Sequence, residues 1–232
     1  MTITPKLVAV GGPTNGAEYL LEKDDFSLGR DVGNSLMVAW DVSISRQHAH
    51  IYRQSGLYWL QDLNSSNGTY LSLKGGDERK LAPQESVLLL DGAQVRIGRN
   101  AHFRIEGLIR NEDEALQLLM GHLQQVMGDV YAGLSYIDPA ERERQCAWLR
   151  DFENRLKAAK DENDLYRVAS EGTQTLIGTF RGELPAGQEL PPLPDDLPDP
   201  NAPGRLNSIL NYFIDDIRDC FPEDKDRDDR AH

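Results

Sequence analysis

The spacing of apolar residues changes near Gly107, and this change divides the chain into two kinds of folding unit. Before it, short apolar and β-branched runs alternate with turn sequences such as GGPTNG, DVGN, NSSNG and DG. About ten such runs, interrupted every eight to twelve residues, are typical of a β-sandwich. No segment with helical spacing longer than a turn or two separates them. We therefore predict an all-β unit over residues 1–108.

In the second half of the chain, apolar residues recur every three or four positions, as they do on one face of an amphipathic helix. This spacing predicts about three helices over residues 109–182 and a final helix over residues 205–222. The final helix is expected to pack on the others, which gives a small antiparallel bundle. The predicted fold is thus an all-β sandwich followed by a small all-α helical bundle.

The starts of the first two helices carry local signals. Asn111 followed by Glu114 resembles a capping box, and Asp138-Pro139 places a proline at the first position of the second helix. The buried positions predicted for these two helices are Leu116, Leu119, Met120, Leu123, Val126, Met127, Val130, Tyr131, Leu134, Trp148, Phe152 and Leu156.

Seven of the chain's twelve prolines fall within residues 185–203, between the third and fourth predicted helices. Proline lacks a backbone N–H and fixes its own φ angle, so this stretch cannot be a helix or an inner strand. We interpret residues 183–204 as an extended linker. Its PPLP sequence leaves a docking motif for a proline-recognising domain as an alternative. The acidic residues 223–232 are predicted to be a disordered tail.

The net charge of −13 at pH 7 lies almost entirely in the second half, since residues 1–108 carry a net charge of −1 and residues 109–232 one of −12. An acidic chain lacks the basic face that non-specific nucleic-acid binding requires. No apolar run approaches the ~18 residues of a membrane span. The short run LVAV near the N-terminus is not the core of a secretory signal. We expect a cytoplasmic protein with no nucleic-acid and no membrane partner.

The chain shows no set of residues suited to catalysis or metal binding. Its two cysteines, Cys146 and Cys220, cannot alone form a four-ligand zinc site or a disulfide-rich scaffold. No acid pair, no nucleophile with a base and no glycine-rich phosphate loop is present. We therefore expect no enzyme, no catalytic residue, no metal site and no cofactor.

Four short motifs in the first half occur in a distinctive order: Gly29-Arg30, SRQH at residues 45–48, NGT at residues 67–69, and DG before VRIG. They lie within the longer sequences FSLGR, DVSISRQHAHI, LQDLNSSNGTYL and LDGAQVRIG. On these motifs, residues 5–107 resemble a forkhead-associated (FHA) domain. The resemblance implies a sandwich of eleven strands that binds phosphothreonine through loops at one end.

The residue types in these motifs also suit phosphate binding on chemical grounds. A phosphate group carries about −1.5 to −2 charge at pH 7, and an arginine can hold it with two charge-assisted hydrogen bonds. Arg30 is the candidate, held at a strand end by Gly29, and Ser45 can donate its hydroxyl. The resemblance implies that Ser45 and Arg46 line the phosphate side, where Arg46 contributes its backbone or a peripheral contact.

The resemblance also implies roles for neighbouring loop residues. Asn67 matches the asparagine that bonds the peptide backbone, and Ser66 stands where a threonine is frequent, so its hydroxyl can reach the ligand. His48 braces the loop that presents Ser45. Gly68 is a turn position that requires a positive φ angle.

These expectations describe a signalling adaptor whose partner is a threonine-phosphorylated protein, such as a Ser/Thr kinase or its substrate. The resemblance implies a choice among ligands at the third residue after the phosphothreonine, for which Ser43 and Ile44 are candidates. The alternative is a structural or assembly component, for example of a bacterial secretion or kinase-regulated complex. In that case the helical part would form a homo-oligomer. Loss of binding in Arg30→Ala would favour the adaptor or a regulated assembly. A concentration-dependent oligomer formed by the helical part alone would favour a structural or assembly component.

Overall fold

The described part of the chain forms two compact units, which divide after Glu114. A computed structural model describes residues 4–73, 76–134, 136–180 and 191–221. The N-terminal unit is a two-sheet β-sandwich, and the chain continues into helices, so the predicted fold class is confirmed. The predicted tail at 223–232, the first eight residues of the predicted linker and Pro222 of the final predicted helix lie outside the described residues.

The sandwich contains eleven strands within the described ranges. Six form one sheet in the order β2-β1-β11-β10-β7-β8, and five form the other in the order β4-β3-β5-β6-β9. The strands are β1 (Lys6–Ala9), β2 (Glu18–Leu20), β3 (Asp25–Gly29), β4 (Leu36–Met37), β5 (Ala49–Gln54), β6 (Leu57–Asp62), β7 (Thr69–Ser72), β8 (Arg79–Lys80), β9 (Ser86–Leu88), β10 (Gln94–Ile97) and β11 (Ala101–Glu106). The strand β4 pairs in parallel with β3, and the other pairings are antiparallel.

The core of the sandwich follows from the alternation of side chains along each strand. On β11, Phe103 and Ile105 are buried. The alternate residues His102 and Arg104 are exposed. Val95 of β10 lies opposite Phe103 in the sheet and is also fully buried. Apolar residues from the two sheets therefore meet between them and hold the strands at fixed positions.

The register of the strands brings five loop ends to one end of the sandwich. Leu28 lies opposite Ala49, and Ala49 lies opposite Asp62, so the loops after β3, before β5 and after β6 leave from the same side. Ile97 lies opposite Thr69, which adds the loops before β7 and after β10. This end of the sandwich contains the residues that the sequence analysis singled out.

The helices begin with the predicted signals. They are α1 (Glu112–Leu134), α2 (Pro139–Lys157), α3 (Glu162–Phe180) and α4 (Arg205–Arg218). The Asp138 carboxylate caps α2 by accepting hydrogen bonds from the N–H groups of Ala140 and Glu141 at 3.0 and 3.2 Å. The capping box of α1 is half formed, because Asn111 accepts from the Glu114 N–H but the Glu114 carboxylate accepts from the Arg110 N–H. None of the described helices is long and apolar enough to cross a lipid bilayer.

The predicted apolar stripes of α1 and α2 are buried, with two differences. Tyr131 is 44% exposed, and Trp148 is half-buried with its ring against that of Phe152. Both residues lie at the margin of their stripe, where a large ring can stay partly in water. Cys146 and Cys220 are buried, and they are not joined by a disulfide bond.

Part of the proline-rich segment contacts the helices. Pro191 lies so close to Gly121 of α1 that a Cβ atom on this glycine would be 2.8 Å from the proline Cδ. The carbonyl of Pro198 accepts a hydrogen bond of 2.7 Å from the buried Arg205 guanidinium, and the Tyr212 hydroxyl donates to Asp196. The described part of the predicted linker is therefore bound at several points rather than free in solution.

A carboxyl group in α4 makes the stability of the helices depend on pH. The pKa of Asp216 is raised to about 6, first by burial and then by the charges of Asp219 and Asp215. A raised pKa in the folded state gives stability that is present at low pH and is lost as the pH rises through the folded value. Asp216→Asn should therefore raise the free energy of unfolding by about 1–2 kcal/mol near pH 8, after allowance for partial solvent exposure.

The measurement is chemical unfolding of the full chain, followed by far-UV circular dichroism at about pH 8 and about pH 4. The gain should be much smaller at the lower pH, where the carboxyl is already protonated in the folded state. Asp151→Asn is the matched control, since this aspartate on α2 is exposed. An equal gain at both pH values, or an equal gain in the control, would contradict the prediction.

Candidate functional site

Three loops at one end of the sandwich line an open groove of about 590 Å³. The first loop follows β3, the second precedes β5, and the third connects β6 to β7. The groove brings together all five residues predicted to bind a phosphopeptide. Its lining residues are Arg30, Asp31, Val42, Ser43, Ile44, Ser45, Arg46, Gln47, Ser66 and Asn67.

A fully buried imidazole joins two of these loops. The Ser45 N–H donates a hydrogen bond of 3.0 Å to Nδ1 of His48, so this nitrogen carries no proton. The proton is thereby assigned to Nε2, which donates to the Gly68 carbonyl at 3.0 Å. The Gly98 N–H, 3.3 Å from the same nitrogen, lies 3.2 Å from the Gly68 carbonyl and bonds there instead. His48 therefore does not line the groove but fixes Ser45 and Gly68, as a bracing residue would.

Arg30 follows β3 at a point where the backbone of Gly29 lies very close to the backbone of Arg46. Its N–H donates to the Ser45 carbonyl at 2.9 Å. A Cβ atom on the preceding Gly29 would lie 2.2 Å from the Arg46 carbonyl oxygen, so only glycine allows this approach. The Asn34 amide closes the contact by donating to the same oxygen at 2.7 Å. The Arg30 side chain is exposed, and no described residue forms an ion pair with it.

The hydroxyl of Ser45 is oriented by a backbone donor. The Ser66 N–H donates to Ser45 Oγ at 3.0 Å, which uses an acceptor position of the hydroxyl and leaves its proton for another acceptor. The Ser66 side chain is exposed at the same rim. A phosphate oxygen is a suitable acceptor, since it takes short, charge-assisted hydrogen bonds.

Asn67 joins the loop between β6 and β7 to the loop that precedes β5. Its Nδ2 donates a hydrogen bond of 2.6 Å to the Ser43 carbonyl, and this fixes the plane of the amide. The amide oxygen then remains as the acceptor that can face a ligand N–H. Gly68, which follows, has a φ angle of +85° that other residues rarely adopt.

Two buried carboxylates support the loops, and the sequence analysis did not identify them. Asp41, only 4% exposed, accepts from the N–H and hydroxyl of Ser43 at 2.9 and 2.6 Å, and from the Asn100 N–H at 3.0 Å. Burial alone would raise the pKa of Asp41, but these hydrogen bonds outweigh it and lower the pKa. The sequence signal was an aspartate two residues before a serine, which favours an Asx turn.

The second carboxylate is Asp62, which is 2% exposed. It accepts from the hydroxyls of Ser65 and Thr69 at 2.6 and 2.7 Å and from the Ser65 N–H at 3.0 Å. The Ser65 hydroxyl oxygen in turn accepts from the Gly68 N–H at 3.0 Å. Asp62 thus holds both ends of the loop that presents Ser66 and contains Asn67.

The side chains of Ser43 and Ile44, the two candidates for ligand choice, are not available to a ligand in the same way as their neighbour Val42. Ile44 is 1% exposed and belongs to the core, and the Ser43 hydroxyl is engaged by Asp41 and by the Arg99 N–H. The adjacent Val42 is 82% exposed. The loop therefore offers the ligand a side chain that the sequence analysis did not single out.

A comparison with protein families agrees with this geometry. Residues 26–98 match the model of the FHA domain family. The N-terminal unit is an FHA domain. The match includes every residue predicted to line or support the site, from Gly29 to Gly68.

The FHA domain is also similar to parts of curated proteins. The oxoglutarate dehydrogenase inhibitor of Corynebacterium diphtheriae is 35% identical over 101 residues, which cover 44% of this chain and 64% of the relative. The glycogen accumulation regulator GarA of Mycolicibacterium smegmatis is 32% identical over 93 residues, or 40% and 53% of the two chains. The chain thus spans between half and two thirds of the length of these relatives.

Among solved structures, the FHA domain of a hypothetical protein from Arabidopsis thaliana is 32% identical. The match covers 47% of this chain and 89% of that domain, with a TM-score of 0.41.

The burial of His48 makes the FHA domain less stable in acid. Burial lowers the pKa of this imidazole, and this effect outweighs the Gly68 carbonyl and the charges of Asp62 and Asp41, which raise it. Below pH ~6.5 the unfolded chain takes up the proton first, so folding stability falls as the pH falls, by at most about 1.4 kcal/mol per pH unit from this residue. We expect His48 to titrate below pH 6.5 in a histidine-resolved NMR titration of the full chain.

The same NMR spectra should show the proton of neutral His48 on Nε2. His102→Gln is the control, since this histidine points outward from β11 and its loss should leave the His48 titration unchanged. A His48 midpoint at or above 6.5, or a proton on Nδ1, would show that the buried bonds described here do not hold the ring.

Proposed function

We propose that the FHA domain of this chain binds phosphothreonine segments of a partner protein in the groove formed by Arg30, Ser45, Arg46, Ser66 and Asn67. The observation that supports this most directly is the preorganised pair of Arg30 and Ser45. Their loops are fixed to each other by a backbone hydrogen bond, while their side-chain donors stay available to a ligand. Binding an anion there requires little reorganisation of the protein.

Each group has a separate role in this proposal. Arg30 holds two phosphate oxygens, Ser45 donates its hydroxyl proton to a phosphate oxygen, and Ser66 adds a second hydroxyl. Asn67 accepts a hydrogen bond from the peptide backbone. Arg46, exposed at the rim, adds positive charge. Hydrogen bonds to a charged group contribute roughly 1.5–3 kcal/mol each, so a few of them are sufficient for specific binding.

We further propose that the protein acts as a non-enzymatic adaptor or regulator. The curated relatives of the FHA domain are an inhibitor and a regulator, which supports such a role. The partner would be a protein phosphorylated on threonine, such as a Ser/Thr kinase or its substrate. The helices α1–α4 would then supply a second surface, through which the bound phosphoprotein is connected to an effector.

Arg30→Ala should lower the affinity of the full chain for phosphothreonine peptides by about 10- to 100-fold, because one charged two-pronged contact is lost. The measurement is fluorescence anisotropy with a phosphothreonine peptide pool and the same pool without phosphate. Arg30→Lys should lose part of this affinity, since lysine keeps the charge but not the fork of donors.

Arg53→Ala is the matched control, because Arg53 is also an exposed arginine of the FHA domain but lies outside the groove. It should bind like the unaltered chain. Equal binding of the two pools, or equal binding by Arg30→Ala, would refute phosphate recognition at this groove. Such a result would favour the alternative in which the helices act as an assembly element.

A further inference from the structure

Val42 presents an exposed apolar side chain within an otherwise polar groove. Of the two aliphatic residues among the described groove-lining residues, Ile44 is 1% exposed and is used by the core. Val42 is 82% exposed. It is therefore the aliphatic group in this wall that a bound peptide can cover.

The backbone around Val42 is fixed before any ligand arrives. The Ile44 N–H donates to the Asp41 carbonyl at 3.1 Å, which closes a turn with Val42 at its second position. The Asp41 carboxylate holds Ser43 on the other side of Val42 through two hydrogen bonds. A β-branched side chain also has little rotational freedom. Contact with this valine thus costs little conformational entropy.

Exposure alone does not single out this valine, because isolated apolar residues are common on protein surfaces. Val32, for example, is 87% exposed on the loop after β3 but does not line the groove. What distinguishes Val42 is that it lines the same groove as Ser43, Ser45 and Arg30. A peptide whose phosphate is held in this groove can therefore bring a neighbouring side chain against the valine.

We propose that Val42 selects phosphothreonine peptides that carry an aliphatic side chain close to the phosphothreonine. This inference rests on the proposed function and adds the class of ligand to it. An aliphatic side chain against Val42 would remove apolar surface of both groups from water. A charged side chain in the same place would lose hydration without gaining a partner from the valine.

The test uses phosphothreonine peptides with an alanine background, in which a single leucine is moved from one position to the next. Binding to the full chain is measured by fluorescence anisotropy. At one position, leucine should improve the affinity about five- to tenfold over alanine, as expected for burial of roughly 40–50 Å² of additional apolar surface. Val42→Thr keeps nearly the same shape but is polar, and it should remove most of this gain.

Val32→Thr is the matched control, since it makes the same change at a valine outside the groove. It should keep the full preference for leucine. The pattern of a preference in the unaltered chain and in Val32→Thr, but not in Val42→Thr, would support the inference.

Two other results would overturn the inference, and they differ in what they say about the proposed function. Phosphate-dependent binding with no leucine preference, or with the same preference in Val42→Thr, would reject the role of Val42 and keep phosphothreonine recognition. No phosphate-dependent binding by the unaltered chain would reject both.

Discussion

The arrangement of the FHA groove depends on the two hydrogen bonds of a single buried imidazole. His48 accepts from the Ser45 N–H and donates to the Gly68 carbonyl, so it joins the loop before β5 to the loop before β7. Neither partner group can change its hydrogen-bonding role, because a backbone N–H only donates and a carbonyl only accepts. The neutral Nε2–H tautomer is therefore the form that satisfies both. A buried polar bridge of this kind fixes the distance between loops more sharply than apolar packing can, because unmade hydrogen bonds in the interior are costly.

The carboxylates of Asp41 and Asp62 extend this principle to the rest of the groove. Each is almost fully buried, and each collects hydrogen bonds from hydroxyl and backbone N–H groups rather than from a cation. A buried charge would normally be unfavourable, but several donors around one carboxylate replace its hydration. The two buried carboxylates therefore accept their hydrogen bonds from groups of the loops themselves. The exposed cations Arg30 and Arg46 then remain available to an anion from outside.

The fold could be predicted from the sequence because it depends on periodicity, which is local. Alternating apolar residues, the proline after Asp138 and the motifs around Arg30 and Asn67 indicated the sandwich, the helices and the residues that meet at one groove. The contact of Asp41 with Asn100 could not be predicted, since the two residues lie far apart in sequence. Ile44 is one of the two candidates for ligand choice but is buried, whereas Val42 is exposed. In a loop no alternation fixes the direction of a side chain, so the choice between such neighbours depends on the tertiary fold.

The groove therefore separates two kinds of residue by burial. Gly29, His48, Asp41 and Asp62 are buried, and replacing any of them would disturb backbone contacts between loops. Arg30, Val42 and Arg46 are exposed. Substitutions at exposed positions usually change stability little, whereas loss of a buried hydrogen-bonding partner costs much more. It follows that the chemistry presented to a ligand can be altered at the exposed positions without rebuilding the loops that carry them.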